Sequence, residues 1–117
     1  MNENQVLNEN VSSQMKRLLI VGLDENFPIE SMNIEDLTNY FPNLVNLIIS
    51  DTEIENFNAI SSLYNLKTLT LERNSISDIS VLENLNQLEN LYLWGNPLTE
   101  SQVDTLRAAL PNCEIYF

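Results

Sequence analysis

Leu44, Leu66 and Leu88 stand 22 residues apart, and each opens the same arrangement of apolar side chains. In "LKTLTLERNSISDISVLENLNQ", residues 66 to 87, Leu66, Leu69 and Leu71 are followed by Asn74 and Ile76, and then by Ile79, Leu82 and Leu85. The segments "LVNLIISDTEIENFNAISSLYN" (44–65) and "LENLYLWGNPL" (88–98) align with it without a gap. This spacing matches neither the 3.6-residue period of one helix nor the two-residue period of one strand. It suits a unit of one strand plus one return segment. Such a unit is too small to bury its own apolar side, so neighbouring units must stack and share a core.

The pattern extends to both ends. Upstream, Met15, Leu18 and Ile20 repeat the opening triplet 29 residues ahead of Leu44, which requires an insertion. Within it, "NIEDLTNYFPN" (33–43) predicts a helix of about two turns. Asn33 or Ser31 serves as cap, Glu35 and Asp36 lie in the first turn, Ile34, Leu37 and Phe41 share a face, and Pro42 ends it. Downstream, "TESQVDTLRAAL" predicts a second helix, with Thr99 and Gln102 as a capping box and Val103, Leu106 and Leu110 on one face. Counting 22 on from Leu88 gives Leu110, and so puts Cys113 and Ile115 at the inward positions of a last strand. The expected fold is α/β: a short solenoid with a parallel five-stranded concave sheet, and helices or extended segments on the convex side. The strands are expected near 18–21, 47–49, 69–71, 91–93 and 113–116. Residues 1–14 read as an N-terminal cap or flexible segment. Residues 15–117 read as one domain, made of repeats 15–43, 44–65, 66–87 and 88–109 and a terminal strand 110–117.

The spacing L-x-x-L-x-L-x-x-N-x-I-x-D-I-x-x-L-x-x-L of residues 66–85 resembles the 22-residue leucine-rich-repeat class of internalin-like bacterial proteins. The likeness is close over 44–98 and looser over 15–43 and 99–117, where the closing helix and strand are similar to a bacterial C-terminal repeat. The resemblance implies a non-enzymatic scaffold that binds other proteins and names no partner. It also implies a structural role for Asn74 and Asn96, whose side chains in this family bond backbone groups of neighbouring turns. Thr52 occupies the equivalent place one repeat earlier, and a looser tie is expected there.

Chemistry is sparse in this chain. There is no His and a single Cys, so nucleophilic triads, intramolecular disulfides and Cys/His zinc sites are excluded. The acidic pairs Asp24–Glu25 and Glu35–Asp36 read as solvated surface. Neither "DENFPIE" nor "DTEIENF" has the glycine of a calcium loop, and the two glycines, Gly22 and Gly95, form no phosphate-binding loop. No metal or cofactor is expected. Seventeen acidic residues against five basic give a net charge of −12, which argues against nucleic acid and anionic membrane as partners. No apolar run approaches the length of a membrane span, and "MNENQVLNEN" is not a secretory signal, so the chain as written reads as cytoplasmic; it would be secreted or cell-surface if a leader preceded it. A monomer is expected. Cys113, placed inward, reads as a small core residue.

With the leucines inward, alternation turns the intervening residues toward the open face. One row then reads Leu19, Ile48, Thr70, Tyr92, Glu114, and the next Val21, Ser50, Glu72, Trp94, Tyr116. A third reads Gly22, Asp51, Arg73, Gly95, Phe117. Two further rows, Lys16, Val45, Lys67, Glu89, Pro111 and Arg17, Asn46, Thr68, Asn90, Asn112, complete the face; Lys16, Arg17, Lys67 and Arg73 then balance Asp51, Glu72, Glu89 and Glu114, so the face is neutral and the rest of the chain holds the whole net charge. Aromatic and arginine anchors in a field of low net charge are the composition of a protein-binding patch. The candidate contact residues are Ile48, Lys67, Thr70, Glu72, Arg73, Tyr92, Trp94 and Tyr116, facing a protein partner of unknown identity. The competing reading is an architectural spacer within a larger surface or scaffolding protein. For Leu19 and Val21, cover by residues 1–14 is the preferred reading.

Overall fold

The computed structural model describes residues 14–21, 34–52, 54 and 57–117. Five strands lie in one sheet in chain order: β1 (Arg17–Val21), β2 (Asn46–Ser50), β3 (Thr68–Thr70), β4 (Asn90–Tyr92) and β5 (Glu114–Tyr116). Every neighbouring pair is parallel. Parallel pairing forces each connection to cross back over the other side of the sheet. Helix α1 (Ile34–Tyr40), two 3₁₀ turns (Asn58–Ser62 and Ser80–Asn84) and helix α2 (Glu100–Ala109) make those crossings. The middle returns, expected to be extended, are therefore 3₁₀ turns. The proposed caps Asn33 and Ser31 of α1, and the N-terminal segment suggested to cover Leu19 and Val21, lie outside the described residues.

The repeat leucines form the core between the two layers. Leu44, Leu47, Ile49, Leu66, Leu69, Leu71, Leu91 and Leu93 are buried beneath the sheet, and Ile60, Leu63, Leu82 and Leu85 are buried from the convex side. Helix α2 adds Val103 and Leu106. Its start is fixed by the expected capping box: the Gln102 N–H donates to Thr99 Oγ1 at 3.2 Å, and the Thr99 N–H donates to Gln102 Oε1 at 2.9 Å. The same Gln102 side chain donates from Nε2 to the Ser77 carbonyl at 2.7 Å, tying the helix to the preceding repeat.

The last strand departs from the expected register. Asn90 pairs with Glu114, Leu91 with Ile115 and Tyr92 with Tyr116, a separation of 24 residues rather than 22. Tyr116, not Glu114, thus stands beside Tyr92. Cys113 is not inward on a strand; it precedes β5, half-buried at the edge of the core. The cause is the crossing segment. A ten-residue α-helix replaces a five-residue 3₁₀ turn in the final return, so a count carried through it at constant period arrives two residues early.

Beyond each strand the chain turns sharply, and side-chain amides from the next repeat hold the turn. Asn74 is fully buried. Its Nδ2 donates to the Ile49 carbonyl at 2.7 Å, and its Oδ1 accepts the Thr52 N–H at 3.0 Å. Asn96 repeats the scheme one unit on: Nδ2 donates to the Leu71 and Leu93 carbonyls, and Oδ1 accepts the N–H groups of Asn74 and Ile76, both at 3.0 Å. Thr52, where a looser tie was expected, is held at this junction too, its hydroxyl donating to Asn74 Oδ1 at 2.6 Å. What threonine lacks is an NH₂ group to donate onward to the unit before it.

Replacing Asn74 by alanine strands the Ile49 carbonyl and the Thr52 N–H in the core. With a penalty of about 1–3 kcal/mol for each buried unpaired group, Asn74→Ala is expected to lower unfolding free energy by about 3 kcal/mol or more in urea denaturation. Thr99→Ala, which removes only a helix cap, is expected to cost about 1 kcal/mol.

Candidate functional site

Among the described residues the sheet is covered on its convex side, and the other face presents its side chains in rows set by the register. One row crosses all five strands: Leu19, Ile48, Thr70, Tyr92 and Tyr116. Leu19, at 63% exposure, and Val21 open one end of the face. There Asn46 Oδ1 is buried and has no hydrogen-bond donor among the described residues.

Aromatic side chains close the other end. Tyr92 and Tyr116, cross-strand neighbours on β4 and β5, stack with centroids 4.8 Å apart and planes 8° from parallel. Trp94 leans on both, 5.8 Å from Tyr92 and 6.0 Å from Tyr116, tilted by 52° and 51°. Trp94 keeps 46% exposure. The sequence rows placed Tyr116 beside Trp94 and missed the stacked tyrosine pair. The signal that could have found it was the length of α2, which lengthens the last repeat.

Arg73 is engaged by a partner from its own fold. Its Nε donates to Asp51 Oδ1 at 2.6 Å and its Nη2 to Oδ2 at 3.0 Å, a bidentate pair between adjacent repeats. Both residues sit in the left-handed backbone region, Asp51 at φ 60° and Arg73 at φ 55°, and Gly95 occupies the matching position of the next repeat at φ 81°. A Cβ on Gly95 would lie 2.5 Å from Arg73 Cγ, so the glycine is needed both for its backbone angle and for the arginine stem lying over it. The Arg73 side chain holds the Asp51 carboxyl below the usual carboxylate range, through its hydrogen bond first and its charge second.

The remaining candidates are dispersed over the face. Lys67 is exposed just before β3, Ile48 and Thr70 are half-buried in the central row, and Glu72 is half-buried just after β3. Asn74 and Asn96 lie beneath the face in the amide ladder, away from any contact surface. Burial, assisted by the charge of Glu114, pushes the Cys113 thiol up to about 11, so it is protonated at neutral pH and a poor nucleophile. On the convex side, Asp78 caps the second 3₁₀ turn by accepting the Ser80 N–H and hydroxyl, which lowers its pKa. A shallow groove beside it runs between Glu83 and Thr105. Among the described residues no three Cys, Asp or Glu side chains are grouped to hold a metal ion, and no helix is long and apolar enough to cross a membrane.

A family model of leucine-rich repeats, in two copies, matches residues 64–112. Among solved structures, a leucine-rich-repeat protein of Leptospira interrogans is similar at 26% identity with a TM-score of 0.64, over 92% of this chain and 26% of that one. The chain therefore spans about a quarter of that protein's length. No curated protein matches it. These likenesses are to leucine-rich repeats in general and single out no internalin-like subclass.

Two outcomes test this geometry. Asp51 has a lowered pKa in the folded chain, so the pair favours the folded state above the ordinary value of 3.8. That contribution is lost as pH falls through the lower folded value. The Arg73 Nε–H resonance is expected to be displaced at neutral pH by its bond to Asp51 and to move toward its free position in strong acid. Gly95→Ala should displace the same resonance at neutral pH by pushing Arg73 off Asp51, and should lower stability by about 1 kcal/mol or more for the left-handed alanine alone. An unmoved resonance in Gly95→Ala would remove the coupling between turn and ion pair.

Proposed function

We propose that this chain, a leucine-rich-repeat protein, is a non-enzymatic interaction module that binds a protein partner through the open face of its sheet. The observation that carries this reading is Trp94: the sole tryptophan stands on the open face at 46% exposure, with its ring against those of two tyrosines. Large aromatics are costly to leave in water, and clusters of them dominate protein-binding hot spots. The chain has no histidine, and burial raises the pKa of its one thiol, Cys113, features that favour a binding role over nucleophilic catalysis. Leucine-rich-repeat domains in general mediate protein–protein interaction.

A second reading is favoured by one finding. The chain matches only 26% of the length of the similar Leptospira protein, which fits a segment of a longer array that spaces other parts apart. The first reading is tested by surface. With a partner captured from the native source and identified, Trp94→Ala or Tyr92→Ala is expected to weaken binding at least about tenfold, the loss of a 1.4 kcal/mol anchor. Glu83→Ala on the convex side is expected to leave it unchanged, with circular dichroism showing all three variants folded at the assay temperature. Arg73→Ala is expected to act mainly through Asp51, which it leaves as an unpaired carboxylate. Binding lost in Glu83→Ala and kept in Trp94→Ala would move the recognition surface to the convex side.

A further inference from the structure

The open face is neutral as a whole, yet its charges are sorted along the sheet. Lys16, Arg17 and Lys67, all exposed, lie on or just before β1 and β3. Around the aromatic cluster carboxylates predominate, with Lys67 just before β3 as their one unpaired cationic neighbour among the described residues. Glu89 precedes β4, Glu114 opens β5, and Glu72 shares a row with Trp94, 22 residues before it. None of these three carboxylates makes a hydrogen bond or ion pair among the described residues. Arg73, next in the chain to Glu72, is held by both of its side-chain bonds to Asp51, and Lys67, whose carbonyl accepts the Glu89 N–H, makes no ion pair among the described residues. The aromatic end of the face thus carries two exposed rings, Trp94 and Tyr116, and three carboxylates that no described cation engages by a hydrogen bond or ion pair.

Aromatic ring faces are negative at their centres and attract a guanidinium or ammonium group, tryptophan most strongly. A carboxylate beside such a ring adds a charge-assisted hydrogen bond to the same cation, whereas an acidic group from a partner would be repelled. Resting on the reading that this face binds protein, we propose that the partner is a basic segment that anchors an arginine or lysine side chain between Trp94 and Glu72. The net charge of −12 acts in the same direction over longer range, because it accelerates the approach of a basic partner and slows an acidic one. It also disfavours a second copy of this chain as occupant. Lys16, Arg17 and Lys67 of another copy could reach the cluster only by bringing two strongly acidic chains together.

The test is a phage-displayed library of random dodecapeptides, selected on the wild-type chain and counter-selected on Trp94→Ala. Trp94-dependent binders are expected to carry arginine or lysine at about three times the library frequency or more, because the site offers a cation–π contact and a carboxylate together. A synthetic peptide from that pool should weaken about three- to tenfold when its arginine is replaced by neutral citrulline, and by a similar factor on Glu72→Gln, a near-isosteric change. Trp94 fluorescence provides the titration signal. Trp94-dependent binders with no enrichment in basic residues would overturn the cation anchor and leave the open-face reading standing. Failure to find any Trp94-dependent binder would overturn both. Sedimentation of the wild-type chain as a dimer that dissociates on Lys16→Glu or on Trp94→Ala would seat a second copy on the cluster and overturn the basic-segment partner.

Discussion

A parallel sheet with strands of three to five residues has few ladder bonds per strand, and each strand ends in a turn whose peptide groups leave the ladder. Asn74 and Asn96 resolve that difficulty. Each side-chain amide donates to a carbonyl of the previous repeat and accepts N–H groups there, so a turn unable to pair with itself is completed by its neighbour. The stacking register rests on these contacts as much as on leucine packing. Leucines of similar size would tolerate a small slip, whereas a displaced buried amide would lose several bonds at once. Thr52 shows what the junction requires: an N–H and a hydroxyl suffice to engage Asn74, but only asparagine can hand the arrangement on.

The register in turn creates the open face. A row such as Ile48, Thr70 and Tyr92 exists only because residues 22 apart stand directly opposite one another. The same translation brings Asp51, Arg73 and Gly95 to equivalent left-handed turns, where Asp51 and Arg73 pair and Gly95 makes room for the arginine stem. Arginine gains nothing from a left-handed backbone. Its presence there is understandable once its two hydrogen bonds to Asp51 bridge adjacent turns on the solvent side, opposite the asparagine ladder. The turns are thereby clasped from both sides.

Most of this architecture is legible in the sequence because it is periodic. Leu44, Leu66 and Leu88 fix the unit, alternation assigns the two faces, and the helix at Glu100–Ala109 follows from Thr99 and Gln102. What escapes sequence reading is whatever breaks the period or depends on backbone angle. The terminal strand lies two residues from its extrapolated place because an α-helix and a 3₁₀ turn consume different lengths of chain across the same gap, and that shift alone exchanges Glu114 for Tyr116 beside Tyr92. Asp51 and Arg73 are visibly side by side in the rows, yet their bidentate pair follows from positive φ values that spacing does not encode.

The shift has a chemical consequence for the face. Had Glu114 stood beside Tyr92, its charge would have interrupted the aromatic surface. With Tyr116 there instead, the two phenol rings cover one another and hold Trp94 against their edges, while Glu114 moves to the rim. Three rings fixed by mutual contact have already given up much of their rotamer freedom on folding, so a partner that docks on them loses little further side-chain entropy. The tyrosine pair is in this sense a pedestal. The stacked rings support one flank of the indole, which keeps 46% exposure. Substitution of Tyr116 by a small residue would therefore act on a partner through the loosened orientation of Trp94, even if the partner never touched residue 116.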